Sequence, residues 1–155
     1  MPQLVKGGKH VYGWSEVGSN GKVVVPDEAL AEYDLKLPCN VILLSGSRRS
    51  GGFALTTPTL LQNSPLSRIL DENSKLASFQ LPEAKTITVA GKPCCWVTLN
   101  KNGCIVVPLE TLKQYGVTVG DRLLSVRGSS LGLGFCVKGP LIDKAKKHSN
   151  ITLFK

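Results

Sequence analysis

At 155 residues, the chain is long enough for one well-buried domain or two small ones. Its composition, 42% hydrophobic and 19% charged, is that of a globule, and no apolar run approaches the ~20 residues of a membrane-spanning helix. The formal charge of +8 and pI near 9.4 point toward a polyanionic partner, nucleic acid above all, or else serve solubility alone.

The opening Met1-Pro2-Gln3-Leu4-Val5-Lys6 lacks the basic-then-apolar layout of a signal peptide, so the expected compartment is the cytoplasm. Residues 10–17 then form a strand candidate, followed by the loop Gly18-Ser19-Asn20-Gly21 and a returning strand Lys22-Val23-Val24-Val25. Asn-Gly between apolar runs is a hairpin signal, because both residues tolerate positive φ. A run this rich in β-branched residues suggests burial on both faces. Pro26 ends it and suits the first turn of a helix, where Asp27 and Glu28 favour the positive end of the helix dipole. Leu30 and Tyr33 give that short helix an apolar stripe. Asp34 stands where a left-handed cap is needed. A turn and a third strand over 41–45 follow, then the loop Gly46-Ser47-Arg48-Arg49-Ser50-Gly51-Gly52 and a fourth strand over 53–56.

Residues 58–84 are polar and Pro-punctuated, with Ser64-Pro65 able to cap one helix through Leu66, Ile69 and Leu70. The first pattern then returns: a strand over 93–99, the loop Asn100-Lys101-Asn102-Gly103, Cys104-Ile105-Val106-Val107-Pro108, a helix with Glu110, Leu112 and Tyr115 capped by Gly116, and strands over 123–126 and 135–138. The tail, 141–155, reads as a basic terminal helix carrying Lys144, Lys146, Lys147 and His148.

The return is in register. Residues 14–55 lie on 96–137 without a gap, at a constant offset of 82 (Trp14 on Trp96). Asn20-Gly21, Val24-Val25-Pro26, Glu28, Leu30, Tyr33, Gly46-Ser47 and Gly52-Phe53 all find their like. Two copies of one supersecondary unit exist where neither buries its apolar face alone, so the pair is expected to be the folded object. The expected division is repeat one at 1–57, a linker at 58–84, repeat two at 85–140 and the tail at 141–155. Trp14 and Trp96 are read as core anchors of the two halves.

The sequence of hairpin loop, Gly, Val-Val-Val-Pro, short helix, turn and strand resembles the AbrB/MazE/SpoVT swapped-hairpin family. The match runs through Asn20-Gly21-Lys22-Val23-Val24-Val25-Pro26, Asn102-Gly103-Cys104-Ile105-Val106-Val107-Pro108 and Tyr115-Gly116-Val117-Thr118-Val119-Gly120-Asp121-Arg122. That resemblance implies a mostly β fold with short helices. Tandem swapped-hairpin, AbrB-like repeats would form one pseudo-twofold β-barrel, with a helical linker and tail, as a covalent version of the family's dimer. It also implies a DNA-binding transcriptional regulator whose contacts lie on the hairpin loops and the start of the helix. Carried across, the residue after the loop glycine is Lys22 in one copy and Cys104 in the other. The helix position often held by Arg is Leu30 or Leu112.

The candidate DNA-binding residues are therefore Lys22 and Lys101 for phosphates, and Ser19, Asn20 and Asn102 for backbone or base edges. Lys113 is the cation left on the second helix. Arg48, Arg49 and Arg127 sit in or beside glycine-rich loops that can cradle phosphate through backbone N–H groups. Neither loop has a nucleotide-site context, and a flexible hairpin connection is the favoured reading there. The five cysteines, odd in number and without C-x-x-C spacing, read as free apolar thiols. No metal, cofactor or catalytic set is expected: the two histidines, His10 and His148, stand apart in polar termini. The expected partner is double-stranded DNA, with a homodimer of fused pseudo-dimers possible and no membrane. The alternative is a module of the same fold that binds a protein partner, antitoxin-like, or a small anionic ligand.

Overall fold

A computed structural model describes residues 9–62, 64–129 and 132–155. The opening hexapeptide and the Ser130-Leu131 part of the second glycine-rich loop lie outside them. Among the described residues, ten strands and six short helices follow in chain order: β1 (Val11–Glu16), β2 (Lys22–Val24), α1 (Asp27–Glu32), β3 (Cys39–Ser45), β4 (Phe53–Thr56), α2 (Pro58–Gln62), α3 (Arg68–Glu72), α4 (Ser74–Ala77), β5 (Ile87–Val89), β6 (Lys92–Leu99), β7 (Cys104–Val106), α5 (Leu109–Gln114), β8 (Arg122–Ser129), β9 (Gly132–Cys136), α6 (Pro140–Ala145) and β10 (Leu153–Phe154). A 3-10 turn, Pro65–Ser67, precedes α3. The class is mostly β with short helices. No helix among the described residues is long and apolar enough to cross a membrane.

Local chemistry accounts for the boundaries. Each hairpin tip closes by two backbone bonds: Gly18 N–H to Lys22 O at 3.0 Å and Gly21 N–H to Gly18 O at 2.9 Å in the first, and Asn100 N–H to Cys104 O at 2.9 Å and Gly103 N–H to Asn100 O at 3.0 Å in the second. Gly21 and Gly103 alone take positive φ there (83° and 76°), while the asparagines do not. Pro26 and Pro108 stand at the N-caps of α1 and α5, one residue before the first turn, and block further strand pairing. Asp34 and Gly116 end the two helices in the left-handed region, at φ 52° and 75°.

Eight strands form one sheet in the order β10-β1-β8-β9-β4-β3-β6-β5, and β2 pairs with β7 as a separate ribbon. Strands of one half bond strands of the other. β1 runs antiparallel to β8 with Trp14 opposite Leu124, and β6 to β3 with Trp96 opposite Ile42. The 82-residue offset turns the first pair into the second. In β2–β7, Val23 faces Ile105, and in β4–β9, Phe53 faces Phe135, each a residue opposite its own counterpart.

The expected closed barrel does not form; the sheet is open, with β10 and β5 as its edges. β2 and β7 are three residues long and bond only each other. The free side of β1 is taken by β10, in parallel, and that of β6 by β5. No closing ladder remains available.

The sheet is buried on both faces, so inward and outward residues are both apolar. One face carries Leu43, Phe53, Leu55, Val97, Leu123 and Phe135, closed by Val23, Ile105 and Leu112 from the ribbon and α5. The other face is covered twice. Leu76, Ile69 and Leu70 of the linker helices pack on Ile42 and Trp96, and Ile142 and Ala145 of α6 pack on Leu124 and Trp14. The tryptophans are therefore half-buried on the outer face rather than anchors of the central core. Linker and tail cover equivalent patches, which gives both segments a packing role. The tail is helical only to Ala145 and ends as β10, and the linker is broken into three helices and a 3-10 turn. The ribbon is also not buried on both sides: Val106 is 45% exposed.

Candidate nucleic-acid interface

Each hairpin tip is braced by an asparagine, but a different one. Asn20 Oδ1 accepts from the Lys22 N–H at 3.2 Å, while in the second tip Asn100 Oδ1 accepts from Asn102 and Cys104 N–H at 2.9 and 3.1 Å. The Asn20 carbonyl oxygen thus braces its own loop. Ser19, Asn20, Lys101 and Asn102 are exposed, and Lys22 is half-buried at the start of the ribbon.

The ribbon fixes how the tips relate. Val107 N–H donates to Gly21 O and Val25 N–H to Gly103 O, at 3.1 and 2.9 Å, so the tips sit at opposite ends of an antiparallel pair. Four residue steps, from Gly21 to Val25, separate them, or about 13 Å at ~3.3 Å per residue.

The other expected contacts lie elsewhere. Lys113 is exposed on the last turn of α5. Leu112 is fully buried and Leu30 packs on the core, so the helix position that the resemblance marks is spent on packing here. Arg48 and Arg49 are exposed beyond Ser45, the end of β3 farthest from the tips. Cys39, the first residue of β3, faces Leu99 beside the second tip, so six residue steps put this turn about 20 Å away along the strand.

Arg127, on the surface of β8, makes an ion pair from its Nε to Glu32 Oε1. The Tyr12 hydroxyl donates to the other oxygen of Glu32. Arg127 first, then Tyr12, hold the Glu32 carboxyl below its usual range, and burial with the Glu32 hydrogen bond pushes the Tyr12 phenol up. His10 Nε2 meets Glu28 Oε1 at 2.7 Å, and the His10 and Tyr12 rings stand edge-on at 5.0 Å. These contacts clip α1 to β1 and β8. They line none of the cavities described below, and their action is to fasten the helix. Nothing in the sequence marks a pair 95 positions apart (Glu32 with Arg127).

Sequence reasoning also missed Lys9, Lys92 and Lys138, which gather with Arg48 and Arg49 at the far end of β3 together with Lys144, which the sequence had placed on the tail's solvated face. They come from distant segments, and no local pattern joins them. All five cysteines are free thiols; burial beside Cys95 pushes the Cys94 thiol up to about 12. Among the described residues, no three His, Cys, Asp or Glu side chains group to hold a metal ion. Comparison with models of protein families, with curated proteins and with solved structures finds no match to this chain.

Proposed function

We propose that this chain is a double-stranded DNA-binding regulator of the swapped-hairpin kind, in which the two repeats act as covalently joined, pseudo-twofold partners. The registers support that reading: ladders between the halves repeat at the 82-residue offset, and Val23–Ile105 and Phe53–Phe135 pair counterpart with counterpart. Covalent joining of such partners removes the entropic cost of their association.

One observation carries the DNA reading. The β2–β7 ribbon spaces two polar, lysine-bearing tips about 13 Å apart, and a DNA major groove about 12 Å wide admits a two-stranded ribbon. Lys22 and Lys101 would then meet phosphates on either side, with Ser19 and Asn102 beside them. The test is fluorescence anisotropy of labelled duplex across a salt series, for the parent and for Lys22→Ala and Lys101→Ala. Each substitution weakens binding and flattens the log–log salt slope by about 1. Variants that bind like the parent would remove the tips as the contact surface.

A second reading, a module of the same fold holding a protein partner, draws on apolar surface beside the ribbon. Val106, opposite Lys22 at the first tip, and Leu109 are 45% and 48% exposed, and Cys104 is buried in the second tip at the position Lys22 holds in the first. Stoichiometric capture of one protein free of nucleic acid would favour that module.

A further inference from the structure

The charge of this protein is not concentrated at the hairpin tips. Two cavities flank the turn Ser47-Arg48-Arg49-Ser50. One, of about 360 Å³, is lined by Lys9, Arg49, Lys138 and Lys144. The other, of about 300 Å³, is lined by Arg48, Lys92 and again Lys138. Both share Ser47, and no Asp or Glu among the described residues lines either. Nineteen Lys and Arg less these six leaves thirteen, against eleven Asp and Glu. Most of the net +8 therefore resides in this one tract.

The tract is also built rather than loose. Ser47 Oγ and Ser50 Oγ lie 2.8 Å apart, Ser50 N–H reaches Ser47 Oγ at 3.2 Å, and Gly51 N–H donates to Ser47 O at 2.8 Å. The Ser50 carbonyl then accepts from both Val137 and Lys138 N–H, at 2.9 and 3.1 Å. These bonds lock the arginine turn against the strand end that carries Lys138. A preset array of like charges is unfavourable to the isolated chain and is relieved by an anion.

We infer that this tract is a second nucleic-acid contact that grips an extended phosphodiester backbone without reading base sequence. Its six cations are strung through two joined cavities on both sides of a turn, which suits a chain of phosphates better than one compact anion. Tyr115, the one aromatic lining residue, is 4% exposed with its hydroxyl bonded to Leu43 O, so no ring is offered for base stacking. The inference rests on nucleic acid being the partner, but not on the hairpins. The tract lies about 20 Å along β3 from the second tip, so it engages a separate stretch of backbone.

The test uses the full chain, random-sequence duplex and a salt series, with Arg48→Ala, Arg49→Ala, Lys92→Ala and Lys138→Ala combined. Every substituted side chain is exposed, and an unchanged thermal midpoint verifies the fold. If each cation neutralises one phosphate, the log–log slope falls in magnitude by about 3.6. Acetylation footprinting of the unmodified protein gives a second readout: saturating duplex protects Lys9, Lys92, Lys138 and Lys144. An unchanged slope with these lysines still reactive overturns the tract while leaving the hairpin proposal standing if Lys22 and Lys101 remain sensitive. A lost slope with insensitive tips does the reverse. Capture by phosphatidylserine vesicles through these side chains, with no DNA binding at 50 mM salt, reassigns the tract to membranes and overturns the inference.

Discussion

Phe135→Ala tests whether the two halves share one core. Phe135 is fully buried in β9, opposite its counterpart Phe53 in β4, with ring centroids 5.1 Å apart, and Phe53 in turn stands edge-on to Tyr115 at 5.7 Å. Removing one ring from such a site costs about 3–5 kcal/mol through lost burial and the residual cavity. At ~2–4 °C per kcal/mol for a chain of this size, a loss near 4 kcal/mol lowers the thermal midpoint by ~8–16 °C. Two native probes show how far the effect spreads. Trp14 sits under α6 with Leu124, and Trp96 under the linker helices with Ile42. Single-tryptophan proteins made by Trp96→Phe or Trp14→Phe therefore report opposite patches of the outer face. Urea unfolding followed by each fluorophore gives one coincident transition, and Phe135→Ala shifts both by the same amount. Two separate transitions, with one probe blind to Phe135→Ala, would refute a shared core.

Gly21→Ala places a Cβ 1.9 Å from the Val107 carbonyl oxygen at φ 83°, so backbone must move and the first tip detaches from the ribbon. It destabilises the chain by more than ~2 kcal/mol in urea titration. Gly116→Ala, at φ 75° but with nothing within 4 Å, costs only about 1 kcal/mol. The Glu32 clip gives a pH dependence whose sign follows from a carboxyl held below its ordinary value by Arg127. Its contribution is complete above the unfolded pKa of about 4.3 and is lost as pH falls through the lower folded value. The urea midpoints of the parent and Glu32→Gln therefore differ at pH 7 and converge below about pH 4; a constant gap across that range refutes the clip.

What the chain reveals of itself divides along sequence distance. Asn-Gly between β-branched runs and Val-Val-Pro before a short helix are local devices, and both tight loops, α1 and α5 fall where those devices put them, although the returning strands β2 and β7 pair with each other rather than with β1 and β6. The internal repeat extended legibility further. A unit too small to bury its own face must borrow from its double, and the ladders between halves do that. Closure into a barrel was not legible. It depended on the edges of β1 and β6, and β10 from the tail and β5, just past the linker, occupy those edges. The tryptophans misled because burial on both faces of a sheet gives inner and outer residues the same apolar character.

For the candidate site, the tips were legible because turn chemistry is local. Arg127 looked like a phosphate contact beside a glycine-rich loop, yet Glu32, distant in sequence, holds its charge. The cationic tract escaped notice for the related reason that Lys9, Arg48, Arg49, Lys92, Lys138 and Lys144 come from four separate segments. Composition announced the charge; only the fold gathers it.

The most direct measurement is a titration of labelled random duplex with the unmodified chain between 50 and 300 mM salt. With phosphates gripped at the tips, affinity falls as a straight line in log–log form, steeply enough for several ion releases. Absence of binding at 50 mM, or an affinity indifferent to salt, contradicts the assignment of nucleic acid as the partner.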